Sequence, residues 1–500
     1  MDELKNKKRG LITALAIFLL GAAVRIIFFG THPGGINQDE AFAGYEAWCL
    51  LNYGRDSAGY AFPVYLTAWG SGMNALESYM MMPFIALFGL KTWVIRLPQL
   101  IMALVSLPVC YLTVRRLRDE RTALIAMTLL AVCPWHIMLS RWGLESNLAP
   151  AFLLLGFYFF LRAMEKSAFL LLSATMYGLS LYCYATIWPI MPFLILAQTL
   201  YCLKRKLLKP DRYMLLSALL LFLMALPLLY FLAVNFGFAE EIRTEYFSIP
   251  KLLYMRAGEF GIRELPENAK LLFKLLLKQS DGLTWNSCGV WGLVYFISVP
   301  FVIVGIADSV CRCIKGRAGF DGLLLMQLAA GLLLGLTVKA NVNRVNIIFI
   351  PLVLFAALGI EFCCSVTSSK MKALILALYA LFFAGFCAEY FGSYRYTIGY
   401  YFDAGLEEAL KAAEEKNAEK IYLPEDLLYP KVLFYTQTPP DEFEETVEYV
   451  RYPAAYLKAK SFGNFVFGGN SGDENSVYII KTNQALLYER YENFVVAYEP

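Results

Sequence analysis

The stretch "LITALAIFLLGAAVRIIFFGTHPGGINQDEAFAGYEAW", Leu11 to Trp48, decides the architecture. Its first part, Leu11 to Gly30, is apolar over the length that crosses a bilayer, about 20 residues. The run is long for a signal peptide, and the flanking "GTHPGG" lacks a small-residue cleavage pattern, so it reads as a retained first span. The chain then opens at once onto two adjacent carboxylates, Asp39 and Glu40, among glycines and aromatics. Carboxylates so near hydrocarbon are costly unless paired or functional.

Working outward, the rest of the chain has the same character. With 58% hydrophobic and 17% charged residues and a mean hydropathy of +0.52, it cannot hide its apolar side chains in one soluble core. The net charge of +3 is too small to point to nucleic acid. Apolar runs near 10–29, 94–114, 121–139, 148–163, 167–184, 186–203, 213–235, 289–308, 321–338, 345–364 and 371–390 predict eleven transmembrane helices. Basic clusters occupy every second loop: "KNKKRG" at the N-terminus, "RRLRDER" at 115–121, "RAMEK" at 162–166, "KRKLLKPDR" at 204–212, "CRCIKGR" at 311–317 and "SSKMK" at 368–372. Such loops stay cytoplasmic, which puts 30–93, 140–147, 236–288, 339–344 and the tail from about 391 outside. A further apolar stretch at 78–90 would invert this parity if it crossed, and it is too short to cross. It reads as a short juxtamembrane helix in the outer interface.

The chain therefore divides into a membrane domain, 1–390, and an outer domain, 391–500. The tail begins with "DAGLEEALKAAEEKNAEK", where Asp403 is a candidate helix N-cap. "IYLP", "KVLFY", "NFVFG", "SVYIIK" and "NFVVAYE" follow as expected short strands of a small α/β domain. Most of the eleven cysteines fall in or beside apolar runs and read as small hydrophobes. The two histidines, His32 and His136, have no clustered acids or thiols, so no zinc motif is present. No obligatory metal or cofactor is expected, although carboxylates bound to Mg²⁺ or Mn²⁺ would be compatible with the residues.

Candidate chemistry lies on the outer side. Asp39 and Glu40 share a loop with Tyr45, Trp48, Tyr53, Tyr60, Tyr65 and Trp69. Neighbouring side chains on a helix diverge by about 100°, so one carboxylate would meet substrate while the other holds the loop. Arg141 and Glu145 stand in a very short outer loop, either as a local i,i+4 ion pair or as part of the site. Asp39 with Glu145 would also suit the opposed carboxylates of a retaining glycosidase, a poorer match to a membrane setting.

The "DE" after the first span, the segment "PFIALFGLKTWVIRLPQ", the loop "SRWGLES" and "NVNRVNIIFIPLVLFAALG" resemble lipid-carrier-dependent glycosyltransferases of the GT-C fold. Protein O-mannosyltransferases and lipid A aminoarabinose transferases are the families the chain is similar to, over roughly its first 390 residues. The resemblance implies transfer of a hexosyl or pentosyl group from a polyprenyl-phosphate carrier to an acceptor hydroxyl on protein, lipid or wall polymer. It implies Asp39 as general base in an inverting displacement; Glu40 and Glu145 complete the candidate catalytic set. Arg55, Arg141, Lys339 and Arg344 become the candidates for the donor phosphate. Tyr45, Trp285 and Asn286 become candidates for contact with sugar or acceptor. A flippase or transporter is the alternative class, but such proteins show internal repeats and midplane charges, and no halves repeat here. The C-terminal "VVAYEP" carries no eukaryotic retention signal, so a bacterial plasma membrane is the expected location.

Overall fold

The computed structural model describes residues 2–255, 264–316, 319–469, 475–481, 489–491 and 494–498. Residues 256–263 of the expected outer loop 236–288, Arg317 of the basic cluster at 311–317, and Asn493 and Glu499 of the last expected strand lie outside the described residues.

Helix α1, Asp2–Ile26, carries the first apolar run. Each of the other expected spans coincides with a helix: Leu97–Leu117, Glu120–Val132, Ala149–Ala163, Phe169–Leu181, Met191–Lys204, Arg212–Asn235, Val299–Ile314, Asp321–Thr337, Phe349–Val366 and Ser369–Phe391. Seven segments are long and apolar enough to cross a membrane among the described residues. The runs at 167–184, 186–203 and 321–338 form helices of 13, 14 and 17 residues, below that length. The run at 121–139 is not one helix. It breaks at Cys133, whose extended backbone precedes Pro134 at the start of the short helix Pro134–Leu139. The run at 289–308 enters its helix only at Val299, because Gln279 Oε1 accepts from the N–H groups of Leu293 and Val294 and holds that stretch as a loop.

The stretch 30–93 holds two further helices. Helix α2, Gln38–Tyr53, starts at Asn37 with a capping box and ends at Gly54, whose left-handed backbone lets its N–H reach the Leu50 carbonyl. Helix α3, Leu76–Phe88, covers most of the apolar stretch at 78–90; its 13 residues extend about 20 Å, short of a bilayer core.

In the tail, seven strands among the described residues form one sheet in the order 489–491, 494–498, 476–481, 420–423, 465–467, 459–462, 448–449. Strand Lys420–Leu423 lies parallel to both its neighbours, and the remaining pairs are antiparallel. Two expectations for this region are corrected. "KVLFY" is not a strand but the core of helix Tyr429–Thr436, begun by Pro430 and buried through Val432, Leu433 and Phe434. Asp403 is not an N-cap; Gly405 holds that position, and the Asp403 carboxylate is buried between Lys431 and Lys481, with Nζ to oxygen distances of 2.5 Å each.

The apolar interior has two main parts. One runs through the membrane helices. The other joins α2, α3 and the tail: Ala41, Ala47, Ile85, Val94 and Ile95 pack with Leu406, Leu410, Ile421, Val432 and Phe434. Gly44 makes this closeness possible, because a Cβ there would sit 2.9 Å from both Ile95 and Phe434. The C-terminal region is thus seated on the helix that carries Asp39 and Glu40.

Candidate functional site

The capping box settles how the two adjacent carboxylates face. Asn37 Oδ1 accepts from the Asp39 N–H at 3.0 Å, and the Asn37 N–H donates to Glu40 Oε1 at 2.9 Å. Glu40 is therefore turned back over the helix start. There Arg96 meets it with Nε at 3.0 Å and Nη2 at 2.6 Å, and the Gly143 N–H donates to it at 2.7 Å. Arg96 also donates to the carbonyls of Pro33 and Gly35, and both side chains of the pair are fully buried. One helical step away, Asp39 is half-buried and lines a cavity of about 940 Å³.

Three other interhelical turns converge on that cavity. Glu145, at the turn before helix Ala149–Ala163, lines it while its Oε2 accepts from the Asn74 N–H. Arg344 lines it from the turn that leads to helix Phe349–Val366. Two hydrogen bonds fix this turn internally and to its neighbour: Asn341 Oδ1 accepts from the Arg344 N–H at 2.8 Å, and Thr186 Oγ1 donates to the Arg344 carbonyl at 3.3 Å. Asn346 Nδ2 donates to the Ser146 carbonyl at 2.5 Å, so the Glu145 and Arg344 turns are tied together. Tyr184 and Trp188 line a third side, and Tyr456 and Lys458 of the C-terminal region a fourth. A second, apolar groove of about 490 Å³ runs between helices Phe169–Leu181, Met191–Lys204 and Arg212–Asn235, and it shares Trp188, Leu229 and Leu232 with the first.

The remaining expected site residues lie elsewhere, each for a physical reason. Glu40 is spent on Arg96 and the helix cap. Arg55 is on the surface, paired with Asp441. Arg141 is fully buried and forms no ion pair with Glu145; its guanidinium donates to the carbonyls of Val24, Arg25, Ile27 and His32 at 2.8 to 3.2 Å. It thereby satisfies the end of α1, where carbonyls have no helical partner. Lys339 is exposed and outside the lining. Tyr45 is buried, its hydroxyl donating to the Thr438 carbonyl at 2.7 Å across the contact with the C-terminal region. Trp285 packs on Tyr401. Asn286 Nδ2 donates to Asp281 Oδ2 at 2.8 Å, and the same oxygen accepts from the Val342 N–H at 2.9 Å. Asn286 thus braces the Arg344 turn from behind.

Sequence reasoning missed Arg96, Glu77 and Lys458. An arginine at the mouth of a span was the available signal for Arg96, since such a charge needs a partner. Glu77 is buried beside Gln99, whose Nε2 donates to Glu77 Oε1 at 2.9 Å. Burial pushes the Glu77 carboxyl up to about 8, and the Glu40 and Asp39 charges push the same way against the Gln99 hydrogen bond. His32 is packed edge-on against Tyr390, and burial with the nearby Arg141 charge lowers it to about 3. Among the described residues no three His, Cys, Asp or Glu side chains stand together as a metal site.

A family model described as dolichyl-phosphate-mannose-protein mannosyltransferase matches residues 75–231, fewer than half of the chain. No curated protein matches by sequence. Among solved structures, apo ArnT from Cupriavidus metallidurans aligns at 12% identity and a TM-score of 0.54, over 88% of this chain and 86% of that one. ArnT has also been solved bound to undecaprenyl phosphate, and it aligns there at 12% identity and a TM-score of 0.54, over 86% and 85% of the two chains. The Archaeoglobus fulgidus oligosaccharyltransferase AglB, in complex with an inhibitory peptide and a dolichol-phosphate, aligns at 15% identity and a TM-score of 0.53 over 87% of this chain. The alignment spans 64% of that archaeal protein. At these identities the likeness establishes the fold, and the fold is GT-C.

Proposed function

We propose that the chain is a glycosyltransferase that moves a hexosyl or pentosyl group from a polyprenyl-phosphate carrier to an acceptor hydroxyl. The observation that carries this reading is the convergence of Asp39, Glu145 and Arg344, from three separate segments, on one large cavity that shares Trp188, Leu229 and Leu232 with an apolar groove between membrane helices. A lipid-linked donor needs both parts: apolar walls for its chain and a cation where its phosphate meets the membrane surface. The carriers bound by ArnT and AglB, undecaprenyl phosphate and dolichol-phosphate, are of this chemistry.

In the proposed reaction the Asp39 carboxylate takes the proton of the acceptor hydroxyl as its oxygen attacks the anomeric carbon. The bond from that carbon to the phosphate oxygen breaks with its electron pair on the phosphate, and the anomeric configuration inverts. Arg344 holds the departing polyprenyl phosphate by its planar guanidinium, which can serve two oxygens at once. Glu145, fixed by the Asn74 N–H, faces the sugar or acceptor as a hydrogen-bond partner. The alternation of basic loops along the sequence supports a cavity on the outer side of the membrane.

The reading is tested with purified protein in lipid and a panel of radiolabelled polyprenyl-phosphate sugars. Carrier-dependent sugar release supports transfer. Movement of intact lipid between leaflets without cleavage of the sugar–phosphate bond would replace it with a flippase.

A further inference from the structure

Among the described residues, four charged side chains line the large cavity: Asp39, Glu145, Arg344 and Lys458. The first three belong to the membrane domain and its outer turns, and the proposed reaction uses them. Lys458 belongs to the outer domain and has no part in that reaction. It is exposed, and no carboxylate holds it in an ion pair among the described residues.

Its position is built. The Lys458 carbonyl accepts from the Val450 N–H at 2.9 Å, and the Leu457 N–H donates to the Trp69 carbonyl at 2.8 Å. One residue on, the Gly70 carbonyl accepts from the Tyr254 N–H at 2.8 Å. Gly70 has φ +89°, and a Cβ there would sit 2.6 Å from the Ala454 carbonyl oxygen, so side-chain bulk is excluded where the two segments meet. The segment 454–458 is thus clamped onto the 69–72 turn of the cavity wall. Arg344 stands at the head of a span, where a lipid phosphate would lie. Lys458 approaches the same space from the domain that carries no span.

We propose that Lys458 makes the cavity select an acceptor with an anionic group, phosphate or carboxylate, near the hydroxyl that receives the sugar. This rests on the transferase reading above, because it assigns the donor phosphate to Arg344 and leaves Lys458 for the second substrate. The outer domain then serves as one wall of the acceptor site and sets specificity without touching the reacting bond.

The test is equilibrium binding of radiolabelled glycerol 1-phosphate to the full chain in lipid nanodiscs, with and without saturating undecaprenyl phosphate. Lys458→Gln is expected to weaken this binding roughly tenfold, the size of one charge-assisted hydrogen bond, and Lys458→Arg to keep it. Binding should persist when undecaprenyl phosphate saturates its own site, and undecaprenyl phosphate binding should be unchanged in Lys458→Gln. Equal glycerol 1-phosphate binding in Lys458→Gln and wild type would overturn the proposal. So would its complete displacement by undecaprenyl phosphate, which would assign Lys458 to the donor. Failure of undecaprenyl phosphate to bind at all would instead strike the transferase reading, while the lysine dependence is still read in the arm without lipid.

Discussion

Replacing Arg96 by methionine tests the foundation of the site. Arg96 makes four hydrogen bonds, two to Glu40 and one each to the carbonyls of Pro33 and Gly35. Glu40 in turn accepts from Arg96, the Asn37 N–H and the Gly143 N–H, and neither side chain of the pair reaches solvent. Arg96→Met therefore leaves a carboxylate buried with its charge uncompensated. Breaking a pair of this kind costs about 3–5 kcal/mol, against about 1 kcal/mol or less for an exposed pair. Glu40→Met should cost a similar amount by stranding the guanidinium. The double variant should recover much of the loss, since an apolar pair of similar volume carries no desolvation penalty. The assay is reversible unfolding by denaturant in mixed micelles, run as a double-mutant cycle, with a coupling of at least about 2 kcal/mol expected. Purely additive effects, or single variants within about 1 kcal/mol of wild type, would refute the role given to this pair.

Other predictions separate the basic residues and the buried acids. Arg344→Gln should weaken binding of undecaprenyl phosphate by roughly tenfold or more, the loss of a charge-assisted contact, while exposed Lys339→Gln should leave the same binding isotherm unchanged. Glu77 has its carboxyl raised from 4.5 to about 8 by burial, so the folded state holds a proton that the unfolded chain has released at neutral pH. The sign follows: this group costs nothing below about pH 4.5, and its destabilising contribution grows as pH rises through the window up to about 8, then levels off. Glu77→Gln, which mimics the protonated form, should flatten the pH dependence of the thermal midpoint across that window. An unchanged slope would show that Glu77 is ionised in the folded protein.

Much of the fold was legible because hydrophobic runs and alternating basic loops are local signals. The placement of Asp39 against Glu40 was legible in part. Divergence of neighbouring helical side chains requires a division of labour, but the direction of that division depends on Asn37, Arg96 and Gly143. Arg96 lies 56 residues from Glu40, and Gly143 lies 103 residues away. The same distance in sequence hid the fate of Arg141. An arginine at a span end looks like a phosphate ligand until the carbonyls at the end of α1 are seen to consume it. "KVLFY" misled because a short apolar run has no period of its own, and only Pro430 and burial on both sides mark it as helix. Asn286 was read as a sugar contact, whereas it holds Asp281 behind the Arg344 turn.

The central claim is that Asp39, alone of the adjacent pair, removes the acceptor proton. Its most direct test is single-turnover sugar transfer by Asp39→Asn protein loaded with a radiolabelled polyprenyl-phosphate sugar that the wild type turns over, with donor binding measured on the same sample. The account predicts donor binding within about twofold of wild type and transfer slowed by about 10² to 10⁴, the usual loss for a missing general base. Transfer at the wild-type rate in a folded, donor-bound Asp39→Asn protein would contradict it.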